Sequence, residues 1–157
     1  MISYAVEQRG RESPLWWAME KNCIPTMEKL LAAGAPAEVR FWVPGATLLS
    51  HAASHGRTTI VRLLLERGAN PNGAFPGQTP LHRAAQFKNV EMARMLLEYG
   101  ADIEGLSGEE FVVPGMGQTP YQIAIENGAA DIAILLLANG ADPQFVTASR
   151  RTMDWEE

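Results

Sequence analysis

The chain has 157 residues, of which 46% are hydrophobic and 20% charged, a composition typical of one globular domain rather than a disordered segment. Its longest apolar run, from Ile132 to Ala138, has seven residues, whereas a membrane-spanning helix needs about 20. The single cysteine, Cys23, excludes an internal disulfide, and neither a signal-peptide pattern nor an Asn-x-Ser/Thr acceptor is found. We therefore expect a cytoplasmic protein, with a nuclear one as the other possibility, that does not bind membranes.

The formal net charge of −5 is unevenly distributed along the chain. No Lys or Arg occurs from Met95 to Ser149, whereas residues 51–95 carry six basic side chains against two acidic ones. Nucleic-acid binding requires a coherent basic surface, so we do not expect nucleic acid as a partner. The acidic stretch has two readings: an ordinary solvated surface, or a face for a partner with a complementary basic patch.

Four segments repeat one pattern, each running from a Ser or Thr to a Gly-Ala pair, with the glycine 21 residues after the Ser or Thr. The first residues are Ser13, Thr47, Thr79 and Thr119, and the glycines are Gly34, Gly68, Gly100 and Gly140. Ser and Thr are preferred helix N-caps, and Pro follows three of them at the first helical position. Gly ends a helix because it adopts the left-handed conformation without strain. Each segment is therefore predicted to be a pair of helices.

The second helix of each pair carries two adjacent leucines, with a smaller apolar residue about one turn earlier. The leucine pairs are Leu30-Leu31, Leu64-Leu65, Leu96-Leu97 and Leu136-Leu137, and the earlier residues are Met27, Val61, Ala93 and Ala133. This spacing puts an apolar stripe on one face of each helix. Because a single helix pair cannot bury such a stripe, the pairs are predicted to stack into a solenoid.

These segments resemble the ankyrin repeat family, whose Thr-Pro-Leu-His-x-Ala signature is matched by residues 79–84; the likeness covers roughly residues 12–144. It implies an all-α fold: an ankyrin-type solenoid of helix-turn-helix repeats with β-hairpin-like fingers. The whole chain, 1–157, is then a single domain with an N-terminal arm at 1–10 and a partial capping repeat or tail at 147–157. The four repeats are expected at approximately 11–40, 45–74, 77–106 and 117–146.

The first helices of the repeats differ from the family pattern at the position of the signature His, and the first of them also carries two adjacent tryptophans. The signature His is replaced by Trp16, Ser50 and Gln122 in the other repeats, so we expect the family's Thr–His hydrogen bonding to be absent or altered there. Trp16 and Trp17 lie in the first helix of the first repeat, where packing in the core or at its end is the favoured interpretation.

The connections between repeats vary, with 13, 11 and 19 residues from each Gly to the next Thr, and all three contain Pro-Gly. Their apolar residues are unusual for turns and are candidates for partner binding. They are Phe41, Trp42, Val43, Phe75, Phe111, Val112, Val113 and Met116. Packing between neighbouring fingers is the alternative explanation. In the family the inner finger faces and the first helices form a concave binding surface, whose helical part would be lined by His55, Phe87 and Asn127 according to the repeat register. Tyr99, next to Gly100, is a possible extension of the apolar patch formed by the finger residues.

Candidates for chemistry are few. His51 and His55 are four residues apart on one predicted helix but lack a recognisable third metal ligand, and Cys23 has no histidine close in sequence. We therefore predict no enzyme activity, no metal and no cofactor. The function expected is protein–protein interaction by a chain that is monomeric in isolation. A regulatory or accessory segment of a larger enzyme or assembly, and a groove for a small apolar ligand, are the alternatives.

Overall fold

The computed structural model describes residues 13–40, 46–73, 78–105, 107 and 117–144, and these residues form eight helices in four antiparallel hairpins. The helices are α1 (Pro14–Glu20), α2 (Ile24–Ala32), α3 (Leu48–Ser54), α4 (Thr58–Glu66), α5 (Pro80–Gln86), α6 (Val90–Glu98), α7 (Pro120–Glu126) and α8 (Ala130–Ala138). The arm expected at 1–10 and the capping repeat or tail expected at 147–157 lie outside the described residues.

Side-chain caps start the first helix of each hairpin. Ser13 Oγ accepts a hydrogen bond from the backbone N–H of Trp16 at 3.0 Å. Thr47 and Ser50 form a reciprocal capping box, and so do Thr119 and Gln122. Ser50 and Gln122, which replace the signature His, therefore still satisfy the backbone N–H of the capping Thr, at 2.9 and 3.0 Å.

The hairpins stack so that the first helices form one layer and the second helices another: α5 packs on both α3 and α7, while α6 packs on both α4 and α8. The apolar residues predicted to precede the leucine pairs, Met27, Val61, Ala93 and Ala133, are all buried. This arrangement confirms the predicted all-α, ankyrin-type solenoid. Its core runs continuously through the stack because each hairpin buries its apolar face only against its neighbours.

A ladder of side-chain to backbone hydrogen bonds joins successive hairpins on the side where the second helices end. Its three rungs run from Asn70 N to Glu38 Oε2 at 3.0 Å, from Asp102 N to Asn72 Oδ1 at 2.7 Å, and from Asp142 N to Glu104 Oε1 at 2.6 Å. Asp102 and Asp142 also accept from the backbone N–H two residues further on. Part of the acidic excess after Met95 therefore serves turn and ladder geometry.

The two ends of the stack correct two expectations from the sequence. Trp17 was expected to pack in the core or at its end, but it is 56% exposed. At the equivalent position of the second hairpin, His51 is buried against Trp16, whereas no described residues precede the first hairpin. Leu137 was assigned to a core pair and is 42% exposed, because the described residues contain no fifth hairpin to cover α8.

Candidate protein-binding surface

The carboxyl ends of the first helices form one exposed row across the stack. Its members are the C-cap residues of α1, α3, α5 and α7, namely Lys21, His55, Phe87 and Asn127. All four are exposed, and three of them are the helical positions predicted to line the concave surface, His55, Phe87 and Asn127. Because α3, α5 and α7 pack side by side, their C-cap residues His55, Phe87 and Asn127 follow one another along the stack.

Phe87 is the apolar member of this row and is 51% exposed. Its backbone N–H donates to the Arg83 carbonyl at 2.9 Å, which fixes the point from which the ring projects. The next residue, Lys88, has a positive φ of 56° and turns the chain into α6. An aromatic ring held on a short, well-anchored turn is the kind of group that anchors a protein interface.

His55 is supported by a line of rings that crosses from the first hairpin to the second. The His51 ring lies 4.6 Å from the Trp16 ring and 4.4 Å from the His55 ring, centroid to centroid. His55 Nδ1 is 2.9 Å from the His51 carbonyl, which holds the imidazole against α3. His51 is buried, whereas His55, which was predicted to line the concave surface, is exposed.

Tyr99 does not join this row. It is the C-cap of α6 and is 44% exposed, whereas Phe87 precedes the start of α6. Nine helical residues separate them, a rise of about 13 Å at 1.5 Å per residue. The two aromatics therefore lie at opposite ends of the third hairpin, with Tyr99 on the side of the fingers.

Of the predicted fingers, the structure describes the bases. An isolated antiparallel bridge joins Arg40 to Thr47 at the first finger, and Leu48 N donates to the Val39 carbonyl at 2.8 Å. At the third finger, Ser107 N donates to the Gln118 carbonyl at 3.0 Å, and Gln118 N donates to Ser107 Oγ at 3.0 Å. The predicted tip residues lie outside the described residues: Phe41, Trp42, Val43, Phe75, Phe111, Val112, Val113 and Met116.

His82 makes the Thr–His hydrogen bonding that the family resemblance implies, and it also bonds the base of the third finger. Its Nδ1 accepts from Thr79 N at 3.2 Å, so Nε2 carries the hydrogen and donates to the Gln118 carbonyl at 2.8 Å. The side chain is completely buried, and burial lowers the pKa of His82 from 6.5 to about 4. The neutral imidazole thus ties the start of α5 to the base of the longest finger.

A shallow cavity lies beside His55 between the first two hairpins, with a volume of about 550 Å³. Its lining is largely polar and includes Asn22, Arg57 and Thr58. Arg57 donates to the backbone carbonyls of Met19 and Glu20 and so closes one wall. Phe87, the aromatic of the exposed row, is not part of this lining.

The part of the chain that the structure describes contains no group of three or more His, Cys, Asp or Glu side chains that could hold a metal ion. Cys23 is the N-cap residue of α2, and its Sγ is 3.0 Å from the Thr26 hydroxyl. This hydrogen bond is the main reason why the pKa of the Cys23 thiol is lowered.

The family of the chain follows from comparison with known proteins. A family model for ankyrin repeats, three copies long, matches residues 15–107 and 76–147. The two matches together span most of the chain, which therefore belongs to the ankyrin repeat family, and domains of this family are generally protein–protein interaction modules without enzyme activity. No individual curated protein gives a significant match. No helix among the described residues is long and apolar enough to cross a membrane.

Proposed function

We propose that this protein binds a partner protein through the exposed row of first-helix ends, Lys21, His55, Phe87 and Asn127, together with the apolar fingers. The observation that carries the proposal is Phe87, a half-exposed aromatic on a rigid turn, next to a histidine at the equivalent position of the neighbouring hairpin. Aromatic side chains lose little conformational entropy on binding and dominate interface energies. The chain acts as a monomeric module in the cytoplasm or nucleus.

The row is suited to a partner that offers an apolar side chain flanked by polar groups. Phe87 supplies apolar area, Lys21 supplies positive charge, and Asn127 supplies an amide at the other end. The Asn127 Nδ2 donates to the Ile123 carbonyl at 2.8 Å, which leaves Oδ1 as the acceptor that this exposed residue can offer to a partner. Such a mixture favours a folded or extended protein surface over nucleic acid, for which a continuous basic stripe is needed.

The test is capture of a partner by the whole chain, followed by measurement of its dissociation constant with single variants. Phe87→Ala is expected to weaken binding at least tenfold, because a central aromatic anchor contributes roughly 2 kcal/mol or more. Glu98→Ala is the control, since this exposed residue lies on the second-helix layer of the same hairpin. Helical content is expected to be unchanged in both variants.

Two further substitutions divide the binding surface. Tyr99→Ala changes an exposed aromatic at the opposite end of the hairpin from Phe87, and Phe111→Ala with Val113→Ala changes the longest finger. Loss of affinity in all three experiments supports a partner that spans fingers and helices. Equal affinity of Phe87→Ala and the unmodified chain would refute the assignment of the row.

The alternatives of a small apolar ligand and of a segment of a larger enzyme or assembly have weaker support. The cavity beside His55 is open and largely polar, whereas small-molecule sites are usually enclosed and apolar. Turnover or metabolite binding that is lost in His55→Ala would favour the ligand alternative. Association of the intact chain with a catalytic subunit, and a change in that subunit's activity, would favour the other.

A further inference from the structure

A groove of about 400 Å³ lies between α6 and α8, in the layer that the second helices form. Its lining residues are Val90 and Arg94 of α6, and Asp131, Ile134, Leu135 and Ala138 of α8. We call it the α6–α8 groove. The exposed row of the proposed function is built from the ends of the first helices and contributes no residue to this lining. The groove is therefore a separate surface, and what it binds does not depend on the function proposed for the row.

The α6–α8 groove is apolar where the equivalent groove between α4 and α6 is polar. Three lining residues, Val90, Ile134 and Ala138, stand where the earlier groove has Thr58, Arg94 and Glu98. Ile134 is 66% exposed, although isoleucine is among the residue types most often buried. Exposed apolar surface with charged groups beside it is typical of an interaction site.

The charges of the two grooves differ as well. Arg62 Nη2 lies 2.6 Å from Glu91 Oε1 and so joins α4 to α6. The equivalent residues, Arg94 and Asp131, form no ion pair with each other or with any other residue that the structure describes. Asp131 lies in the first turn of α8, where the helix dipole stabilises a negative charge. Arg94 lies in the middle of α6 and is left without a carboxylate partner in the described part of the chain.

We propose that the α6–α8 groove binds an amphipathic helix of a partner protein, which packs apolar side chains against Ile134 and Leu135 and offers a carboxylate to Arg94. The lining of α8 extends from Asp131 to Ala138, seven residues or about 10 Å along the helix. This length fits two apolar residues one turn apart on the bound helix, the usual pattern when a helix docks in a groove. The bond from Arg94 to a carboxylate fixes the direction in which the bound helix runs.

A second binding surface changes what the chain can do. The row and the α6–α8 groove belong to different helix layers and share no residue. The chain can therefore hold two proteins at the same time and bring them together, instead of binding one partner only.

Selection from a peptide library against the whole chain tests the proposal. The probe is a displayed library of helical peptides of about 20 residues, long enough to form a helix, with one face randomised. The selected peptides are expected to carry two apolar residues one turn apart and an Asp or Glu. Their dissociation constants are expected to rise at least tenfold in Ile134→Arg, which restores the residue type of Arg62 and Arg94 at this position. Glu28→Arg places the same arginine at the equivalent position of the first hairpin and is expected to leave binding unchanged.

A charge exchange tests the role of Arg94. Arg94→Glu is expected to weaken binding of a selected peptide, because two carboxylates then face each other. Replacing the acidic residue of that peptide by lysine is expected to restore its affinity for Arg94→Glu and to lower its affinity for the unmodified chain. A loss caused by a disturbed fold would not be reversed by a change in the peptide.

Three results would overturn the proposal. One is a selection that yields no peptide whose binding depends on Ile134, and another is a set of such peptides that bind Arg94→Glu and the unmodified chain equally well. The third is a doubled mass of the unmodified chain in light scattering that Ile134→Arg abolishes, which would identify a second copy as the occupant. Circular dichroism establishes that the helices are intact in each variant, since Glu28, Arg94 and Ile134 are all exposed.

Discussion

The second hairpin (α3–α4) and the third hairpin (α5–α6) have helices of the same lengths, yet they differ at equivalent positions 32 residues apart. Ser50 corresponds to His82, Gly56 to Lys88, and His55 to Phe87. Gly73 and Gly105 are identical in type but not in surroundings. Both hairpins have a side-chain cap at the start of the first helix and a left-handed residue in the turn between the helices, but different residues fill these positions. The effect of each difference can be tested by substituting one position at a time.

The largest difference expected between the two hairpins is a dependence of stability on pH that arises from His82. Because the pKa of His82 is about 4 when folded and near 6.5 when unfolded, the unfolded chain binds more protons between these values. Stability is therefore complete above about pH 6.5 and falls as the pH drops, at about 1.4 kcal/mol per pH unit, to a loss of about 3 kcal/mol at pH 4.

Denaturant unfolding of the unmodified chain and of His82→Gln over this pH range checks the prediction. Gln reproduces the capping box of Thr119 and Gln122 but cannot be protonated. The advantage of the unmodified chain is expected to shrink steadily as the pH falls. Parallel pH profiles for the two proteins would contradict the role assigned to His82.

A smaller difference is expected from the two glycines. A Cβ at Gly73 would lie 2.6 Å from the Thr47 side chain, whereas a Cβ at Gly105 would have its nearest neighbour at 3.5 Å. Thr47 cannot move away cheaply, because its Oγ1 accepts from Ser50 N at 3.1 Å. Gly73→Ala is therefore expected to cost about 2 kcal/mol of unfolding free energy, and Gly105→Ala less than about 0.5 kcal/mol. Equal losses by thermal unfolding would show that the close contact is not what matters.

The smallest difference concerns the turn between the helices. Gly56 and Lys88 both have positive φ, of 67° and 56°, a conformation that costs a lysine roughly 1 kcal/mol more than a glycine. Lys88→Gly is expected to stabilise the chain by up to about 1 kcal/mol, and Gly56→Lys to destabilise it by a similar amount. Denaturation midpoints of the two variants should move in opposite directions, and a shift of both in one direction would argue against backbone strain as the cause.

Much of the fold was predictable because capping and packing are local. The spacing from Ser or Thr to Gly predicted all four described hairpins, and the register predicted that His55 and Phe87 would occupy equivalent exposed positions. The ends were predicted less well. A tryptophan such as Trp17 is expected in the core because its side chain is large and apolar. Burial at this position of a repeat, however, depends on contacts with the hairpin before it and not on its own helix, and Trp17 is exposed.

Features that depend on contacts between distant residues were not predictable. The hydrogen bond from His82 to Gln118 joins residues that are 36 apart and lie on either side of the longest finger. Gly73, which follows α4, lies close to the side chain of Thr47, which precedes α3. The apolar run from Ile132 to Ala138 was visible in the sequence, but only the structure shows that Ile134 within this run is exposed. The contribution of the fingertips to binding stays a prediction.

The ladder of hydrogen bonds accepted by Glu38, Asn72 and Glu104 makes the junctions between successive repeats equivalent to one another. Each rung joins the residue four places after one closing glycine to the residue two places after the next. If the 32 residues 69–100 were deleted, Asp102 would take the place of Asn70 opposite Glu38, and Glu104 would still meet Asp142. A gene encoding such a chain can gain or lose a whole repeat in frame with every hydrogen bond of the ladder kept, so the length of the binding surface can change in steps of one repeat.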